Sequence, residues 1–101
     1  MSLNTAVSSK GDTRTLSVQG RFDFKMHRMF REMYEDAPAE IGRYVIDLNK
    51  TVYMDSSALG MLLLLREHVG GDQQRVRIVN CNAEIRKILE VACFDKLFDI
   101  A

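Results

Sequence analysis

The stretch VYMDSSALGMLLLL, residues 52–65, places a carboxylate and two hydroxyls directly before one of the most apolar runs of the chain. We predict a helix over about 57–68 whose leucines anchor it in the core. The polar residues then lie at its N-terminus, where free N–H groups and the helix dipole favour anions. A serine just before the helix can cap it, which accounts for one of Ser56 and Ser57 but not for both.

Strands and helices alternate on either side of this motif. The predicted strands are a hairpin starting near Leu3 and returning over 13–20, a run at 44–48 suited to burial on both faces, and 75–80. The other predicted helices are a stripe from Met26 to Ala37 ended by Pro38, a helix after the cap Asn82, and a last turn at 95–98. We expect one α/β domain over residues 1–101, with a mixed sheet of four to five strands, an N-terminal antiparallel hairpin, a parallel centre and three to four helices.

The composition excludes several classes of partner. The chain has 14 basic and 14 acidic residues, so its formal net charge is zero and no basic face for nucleic acid or anionic membrane is indicated. The apolar run Met61 to Leu65 is far shorter than the roughly 20 residues that cross a bilayer, and no leader opens the chain. We therefore expect a cytoplasmic protein without nucleic acid partners or direct membrane insertion.

No catalytic, metal or cofactor site is predicted. His68 follows Ser56 by twelve residues, which along a helix is about 18 Å and too far for a catalytic base. His27 lies among charged residues on the exposed side of its helix, and the chain lacks a nucleophile elbow, a phosphate loop and a dinucleotide fingerprint. Cys81 and Cys93 are expected to be small core residues rather than metal ligands.

A hydroxyl at a helix N-terminus can also be phosphorylated by a kinase. Phosphorylation adds about −1.5 to −2 charges, which free helix N–H groups are expected to tolerate. A docked partner is more sensitive, because an unpaired charge in an interface costs on the order of 2–5 kcal/mol. Asp55 is expected either to serve as a loop or capping carboxylate, or to orient the serine, bind the partner or help to exclude it.

At these residues the chain resembles the STAS domain family, and within it the bacterial anti-sigma factor antagonists. Residues 54–60, Met-Asp-Ser-Ser-Ala-Leu-Gly, are similar to the family's Asp-Ser-Ser/Thr-Gly-Leu-Gly segment. Residues 20–23, Gly-Arg-Phe-Asp, resemble its Gly-x-Leu/Phe-Asp segment. The resemblance covers essentially the whole chain in the order and spacing of its elements.

The resemblance implies a partner-switching protein. Its unphosphorylated form binds an anti-sigma factor and frees a sigma factor; a serine kinase, often the anti-sigma factor itself, inactivates it, and a metal-dependent serine phosphatase restores it. The phosphorylation site carries over to Ser56, with Ser57 as the cap or neighbouring contact and the second candidate. Asp23, Asp55 and Ala58 then belong to the partner surface, Ala58 in place of the family's usual glycine.

Other members of the family imply an alternative. Some are non-catalytic subunits of a phospholipid-transport ABC complex, and others belong to stress-signalling assemblies. In such a subunit the two serines would only cap a helix.

Overall fold

The computed structural model describes residues 5–101. Its strands are β1 (Thr5–Lys10), β2 (Thr13–Val18), β3 (Gly20–Phe22), β4 (Arg43–Asp47), β5 (Thr51–Met54), β6 (Val76–Val79) and β7 (Asp99–Ile100). Its helices are α1 (His27–Glu35), α2 (Ser56–His68) and α3 (Ala83–Val91), with short 3-10 helices at Phe24–Met26, Gln73–Arg75 and Phe94–Lys96. The predicted beginning of the first strand at Leu3 lies outside the described residues.

Five strands form one mixed sheet in the order β1-β2-β4-β6-β7. β1 and β2 make an antiparallel hairpin, and every other pair of neighbours in this sheet is parallel. The predicted α/β domain, with its antiparallel hairpin, parallel centre and three α-helices, is confirmed.

The buried side chains of this sheet lie on one face, in a core shared with the helices. Ile46 in the central strand β4 is fully buried there. On the opposite face Val45 is only half-buried, and Arg77 pairs with Asp99 of the neighbouring strand at 3.5 Å. The prediction that 44–48 is buried on both faces is therefore wrong for the second face, because that face carries charged side chains of the neighbouring strands instead of a second core.

A separate two-stranded parallel sheet joins β3 to β5 and was not predicted. Gly20, predicted as the end of the second strand, instead begins β3 with a φ of 83°, a conformation that glycine adopts at little cost. This turn takes the chain out of the main sheet after Val18. The residues between Leu48 and Asp55, where the sequence analysis placed no strand, supply the partner strand β5.

Thr51 connects the two sheets. Its side chain is almost completely buried, and its hydroxyl donates a hydrogen bond to the Val18 carbonyl of β2 at 2.7 Å. The backbone N–H of Gly20 also donates to the Lys50 carbonyl at 2.8 Å. The first bond ties the small sheet to the main sheet, and the second joins the start of β3 to the residue before β5 within the small sheet.

The helix boundaries agree with the predicted signals to within a few residues. α1 ends at Glu35, ahead of Pro38, and the Asn82 side chain accepts the Ile85 N–H at 2.8 Å as the N-cap of α3. α2 begins at Ser56, one residue earlier than expected. Within residues 5–101 none of the helices has the length and apolar character needed to cross a membrane.

The two cysteines differ in their surroundings. Cys81 is half-buried against the core, whereas Cys93 is exposed in the left-handed conformation that follows α3, with a φ of 61°. The prediction of a core position is therefore wrong for Cys93, because the chain turns outward there to end the helix.

Candidate functional site

Asp23 and Asp55 leave the small sheet side by side. Phe22 and Met54 are register partners at the ends of the parallel strands β3 and β5, so the two aspartates that follow them lie at the same edge. Each aspartate caps a helix, since Asp23 accepts the N–H of Lys25 at 3.1 Å and Asp55 caps α2. The structure thus brings together two predicted site residues that are far apart in the sequence.

Asp55, and not a serine, is the N-cap of α2. One oxygen of its carboxylate accepts the backbone N–H groups of Ser57 at 3.0 Å and of Ala58 at 3.2 Å. The capping role expected for Ser57 is therefore wrong: Ser57 is the second residue of the helix, and its N–H is the group being capped. Aspartate in extended backbone is a favoured N-cap because its side-chain oxygen accepts N–H groups of the first turn, which have no partner within the helix.

Ser56 is the first residue of α2, and its side chain is exposed. Among the described residues the Ser56 hydroxyl makes no hydrogen bond, while Ser57 beside it is half-buried. The helix behind them is held firmly, because its inward side chains are buried in the core. Those side chains are Ala58, Met61, Leu62 and Leu65. The geometry presents a solvent-accessible hydroxyl on a rigid helix end.

Ala58 adopts ordinary helical geometry. It is completely buried, and in the described part of the chain the non-glycine residues with positive φ are Asn80 and Cys93. An alanine at this point therefore causes no backbone strain. Because it faces the core, Ala58 contributes packing rather than a surface for a partner, which removes it from the set of exposed site residues.

Arg21 and Tyr53 complete the surface beside the two aspartates, although the sequence pattern did not single them out. They are register partners across β3 and β5, and the Arg21 guanidinium lies 3.9 Å from the centre of the Tyr53 ring. Arg21 also pairs with Asp23, with 3.3 Å between Nε and Oδ2. Recognising the short motif 20–23 as a strand would have found this contact.

Phe24 is a second residue that sequence patterns did not indicate. It follows Asp23 directly, 72% of its surface is exposed, and its ring stacks on the exposed His27 with 6.2 Å between centroids. An aromatic side chain this exposed beside a polar cluster is typical of an interaction surface.

The two histidines lie in different parts of the structure, and His27 is exposed at the start of α1, as the sequence predicts. His68 is the last residue of α2, at the opposite end from Ser56, and its ring lies 5.0 Å from that of Tyr34. Within residues 5–101, no group of three or more His, Cys, Asp or Glu side chains is arranged to hold a metal ion.

Comparison with known families and proteins gives a consistent set of matches. The family model described as "Mlab, STAS domain" matches residues 5–99. A STAS-domain containing protein of Pseudomonas aeruginosa (strain UCBPP-PA14) is 46% identical over 101 residues, which is 100% of both chains.

Two solved structures share the fold at low sequence identity. The anti-sigma factor antagonist SpoIIAA, in its unphosphorylated form, superposes with a TM-score of 0.75 at 16% identity, over 96% of this chain and 86% of SpoIIAA. An anti-sigma factor antagonist from Mycobacterium paratuberculosis superposes with a TM-score of 0.78 at 22% identity, over 95% of this chain and 82% of that one.

Proposed function

This chain belongs to the STAS domain family, and we propose that it is an anti-sigma factor antagonist that works by partner switching. Its unphosphorylated form binds an anti-sigma factor in the cytoplasm and so frees a sigma factor. A serine kinase, which is the anti-sigma factor itself or a separate protein, phosphorylates Ser56 and releases the partner. A metal-dependent serine phosphatase restores the binding form.

One observation carries the proposal: within residues 5–101 the exposed Ser56 hydroxyl makes no hydrogen bond, and Asp55 rather than Ser56 caps the helix. If the serines only capped α2, one of them would bond to the helix amides, but Asp55 makes those bonds. Capping therefore no longer explains Ser56. The fold that this chain shares with two anti-sigma factor antagonists also supports the proposed function.

The charges around Ser56 explain how a phosphate would act. Because Asp55 already occupies the Ser57 and Ala58 amides, a phosphate on Ser56 would not find those donors free, contrary to the expectation from the sequence. Its negative charge would add to those of Asp55 and Asp23, with Arg21 as the nearby cation paired to Asp23. A partner docked over this edge would meet a repulsion on the order of 2–5 kcal/mol, which is roughly 30- to several-thousand-fold in affinity.

The decisive experiment is phosphorylation followed by partner capture. The native-cell partner is captured with Ser56→Ala protein, and the captured kinase or anti-sigma factor is then incubated with the wild-type protein and ATP. Peptide mass spectrometry is expected to locate the phosphate on Ser56. Phosphate on Ser57 alone would show that Ser57, and not Ser56, is the phosphorylation site. Phosphate on neither serine would overturn the proposed function.

A matched set of variants tests the release step. Ser56→Asp is expected to weaken anti-sigma factor binding at least 30-fold, while Ser8→Asp, the same change at an exposed serine of β1, is expected to leave binding within twofold. Equal affinities for the two variants would contradict partner switching.

The second candidate function is that of a non-catalytic subunit of a phospholipid-transport ABC complex or of a stress-signalling assembly. We retain this alternative because the family model that matches residues 5–99 is described as "Mlab, STAS domain" and not as an anti-sigma factor antagonist. A permanent subunit predicts that Ser56→Asp binds its partner as tightly as the wild type.

A further inference from the structure

The exposed face of α1 carries its charges in two blocks. Basic side chains lie at its beginning, on Arg28 and on Lys25 of the 3-10 turn that precedes it, whereas Glu32 and Glu35 lie near its end. Among the described residues of α1, none in the first turn is acidic and none in the last turn is basic. The helix is therefore positive at one end and negative at the other.

This arrangement opposes the helix dipole. The N-terminus of a helix favours anions and its C-terminus favours cations, so α1 has both kinds of charge at the less favourable end. Arg31 and Glu35 form a salt bridge at 2.6 Å, but within residues 5–101 Lys25, Arg28 and Glu32 take part in none. The stability of α1 alone therefore does not explain where these charges lie.

Four of the charges share one stripe. Lys25, Arg28, Glu32 and Glu35 are three, four and three residues apart, which is the spacing of the seam along which two helices pair. Arg28, Glu32 and Glu35 line one surface depression. The stripe faces solvent, whereas Phe30 on the other side of α1 is buried in the core.

The stripe is complementary to itself in the antiparallel direction. A second copy of α1, reversed and centred at the level of Phe30, places Arg28 of each copy opposite Glu32 of the other and Lys25 opposite Glu35. A two-fold axis then relates the same patch on both copies, as in an isologous dimer. The acidic end of each helix also lies beside the basic start of the other, which offsets the conflict with the dipole. A parallel copy would instead bring like charges together.

Phe24 adds apolar area at each end of this contact. Its ring is 72% exposed and stacks on His27, which lines the same depression as the charged residues. From Lys25 to Glu35 the stripe is roughly 15 Å long. A contact of this size and charge is typical of a weak, reversible and salt-sensitive association rather than of a permanent dimer.

We propose that the chain forms a weak two-fold dimer through α1, in which Arg28 pairs with Glu32, and Lys25 with Glu35, of a second copy. The inference goes beyond the proposed function and does not depend on it.

Sedimentation of the purified chain tests the dimer. At an ionic strength of about 0.02 M the expected dissociation constant is about 0.1–1 mM, and about 0.5 M salt should raise it at least fivefold. Arg28→Glu and Glu32→Arg should each raise it at least fivefold, because each creates two contacts between like charges. Lys87→Glu and Glu84→Arg make the same changes of charge at exposed positions of α3 and are expected to stay within twofold.

Mixing the two variants tests the antiparallel register. In an equimolar mixture of Arg28→Glu and Glu32→Arg every contact at these positions joins opposite charges, so association is expected to return to within twofold of the wild type. This recovery would also show that both variants are folded. The dimer is overturned by a wild-type chain that stays monomeric at about 1 mM and low salt, by equal effects of the α1 and α3 variants, or by a mixture that does not associate.

Discussion

Oδ1 of Asp55 accepts the backbone N–H of Ser57 at 3.0 Å, across the residue that we propose is phosphorylated. The helix cap and the switch are therefore neighbours in one turn of chain. Stability and partner binding are coupled at this point, because a change at Asp55 affects both the start of α2 and the charge beside Ser56.

Removing the cap is expected to destabilise the fold. Asp55→Ala should lower the free energy of unfolding by about 1 kcal/mol, within the range of roughly 0.5–2 kcal/mol for lost N-caps. Asp55→Asn keeps an oxygen acceptor and should lose only a few tenths of that amount. Urea unfolding measures both, and equal losses for the two variants would show that Asp55 does not act as a cap.

Restoring the family's glycine at position 58 is expected to destabilise this chain. Ala58→Gly adds backbone freedom in the unfolded state and removes a buried methyl group, for a total loss of about 1–2 kcal/mol. Gly60→Ala on the same helix is the reciprocal control, since an added Cβ meets no atom within 4 Å, and should gain about 0.5–1 kcal/mol. Thermal or urea unfolding would contradict this reading of Ala58 if the glycine variant were the more stable.

Replacing Cys93 by glycine is expected to stabilise the fold. Its φ of 61° and ψ of 28° fall in the left-handed region, where a residue with a Cβ costs about 1–2 kcal/mol relative to glycine. Cys93→Gly should therefore raise the free energy of unfolding by about 1 kcal/mol. Cys93→Ala also removes the thiol but keeps the strain, so an equal gain in both variants would mean that the backbone conformation is not the cause.

The junction between the two sheets is expected to depend on the Thr51 hydroxyl. Thr51→Val removes the donor to the Val18 carbonyl from a buried position and should cost about 1–3 kcal/mol. Thr51→Ser keeps the donor and loses one methyl group, about 0.8 kcal/mol. If Thr51→Val were as stable in urea as Thr51→Ser, the hydrogen bond to the Val18 carbonyl would not contribute to stability.

Stability is expected to fall at alkaline pH. Burial raises the pKa of both Tyr34 and Tyr44 above the usual value of 10.0, so the unfolded state loses these protons first as the pH rises. Their contribution is complete below about pH 10 and is lost as the pH passes through the raised folded-state pKa values. Unfolding curves between about pH 8 and pH 11 should show this fall, with a smaller fall for Tyr44→Phe. An unchanged profile in that variant would assign the fall to other groups.

Local patterns predicted most of the architecture. Period-two and helical spacing located the hairpin and the three helices, and Asn82 capped its helix as expected, because these features depend on residues close together in the chain. For α2 the sequence offered both a serine and Asp55 as the cap, and the structure shows that Asp55 is the one. Aspartate and serine are both good N-caps, and three such residues in a row leave the exact start of a helix open.

The sequence by itself therefore determined an α/β domain and a polar helix start at Asp55 and Ser56. Both depend on periodicity and capping chemistry, which involve only residues close together in the chain. The tertiary structure alone decided that β3 pairs with β5, which places Asp23 beside Asp55 and Arg21 over Tyr53. It also decided that Leu59 of α2 and one face of α3 line an apolar groove. These relations join segments far apart in the chain, and strands of three or four residues are too short to show a period of their own, so only packing reveals them.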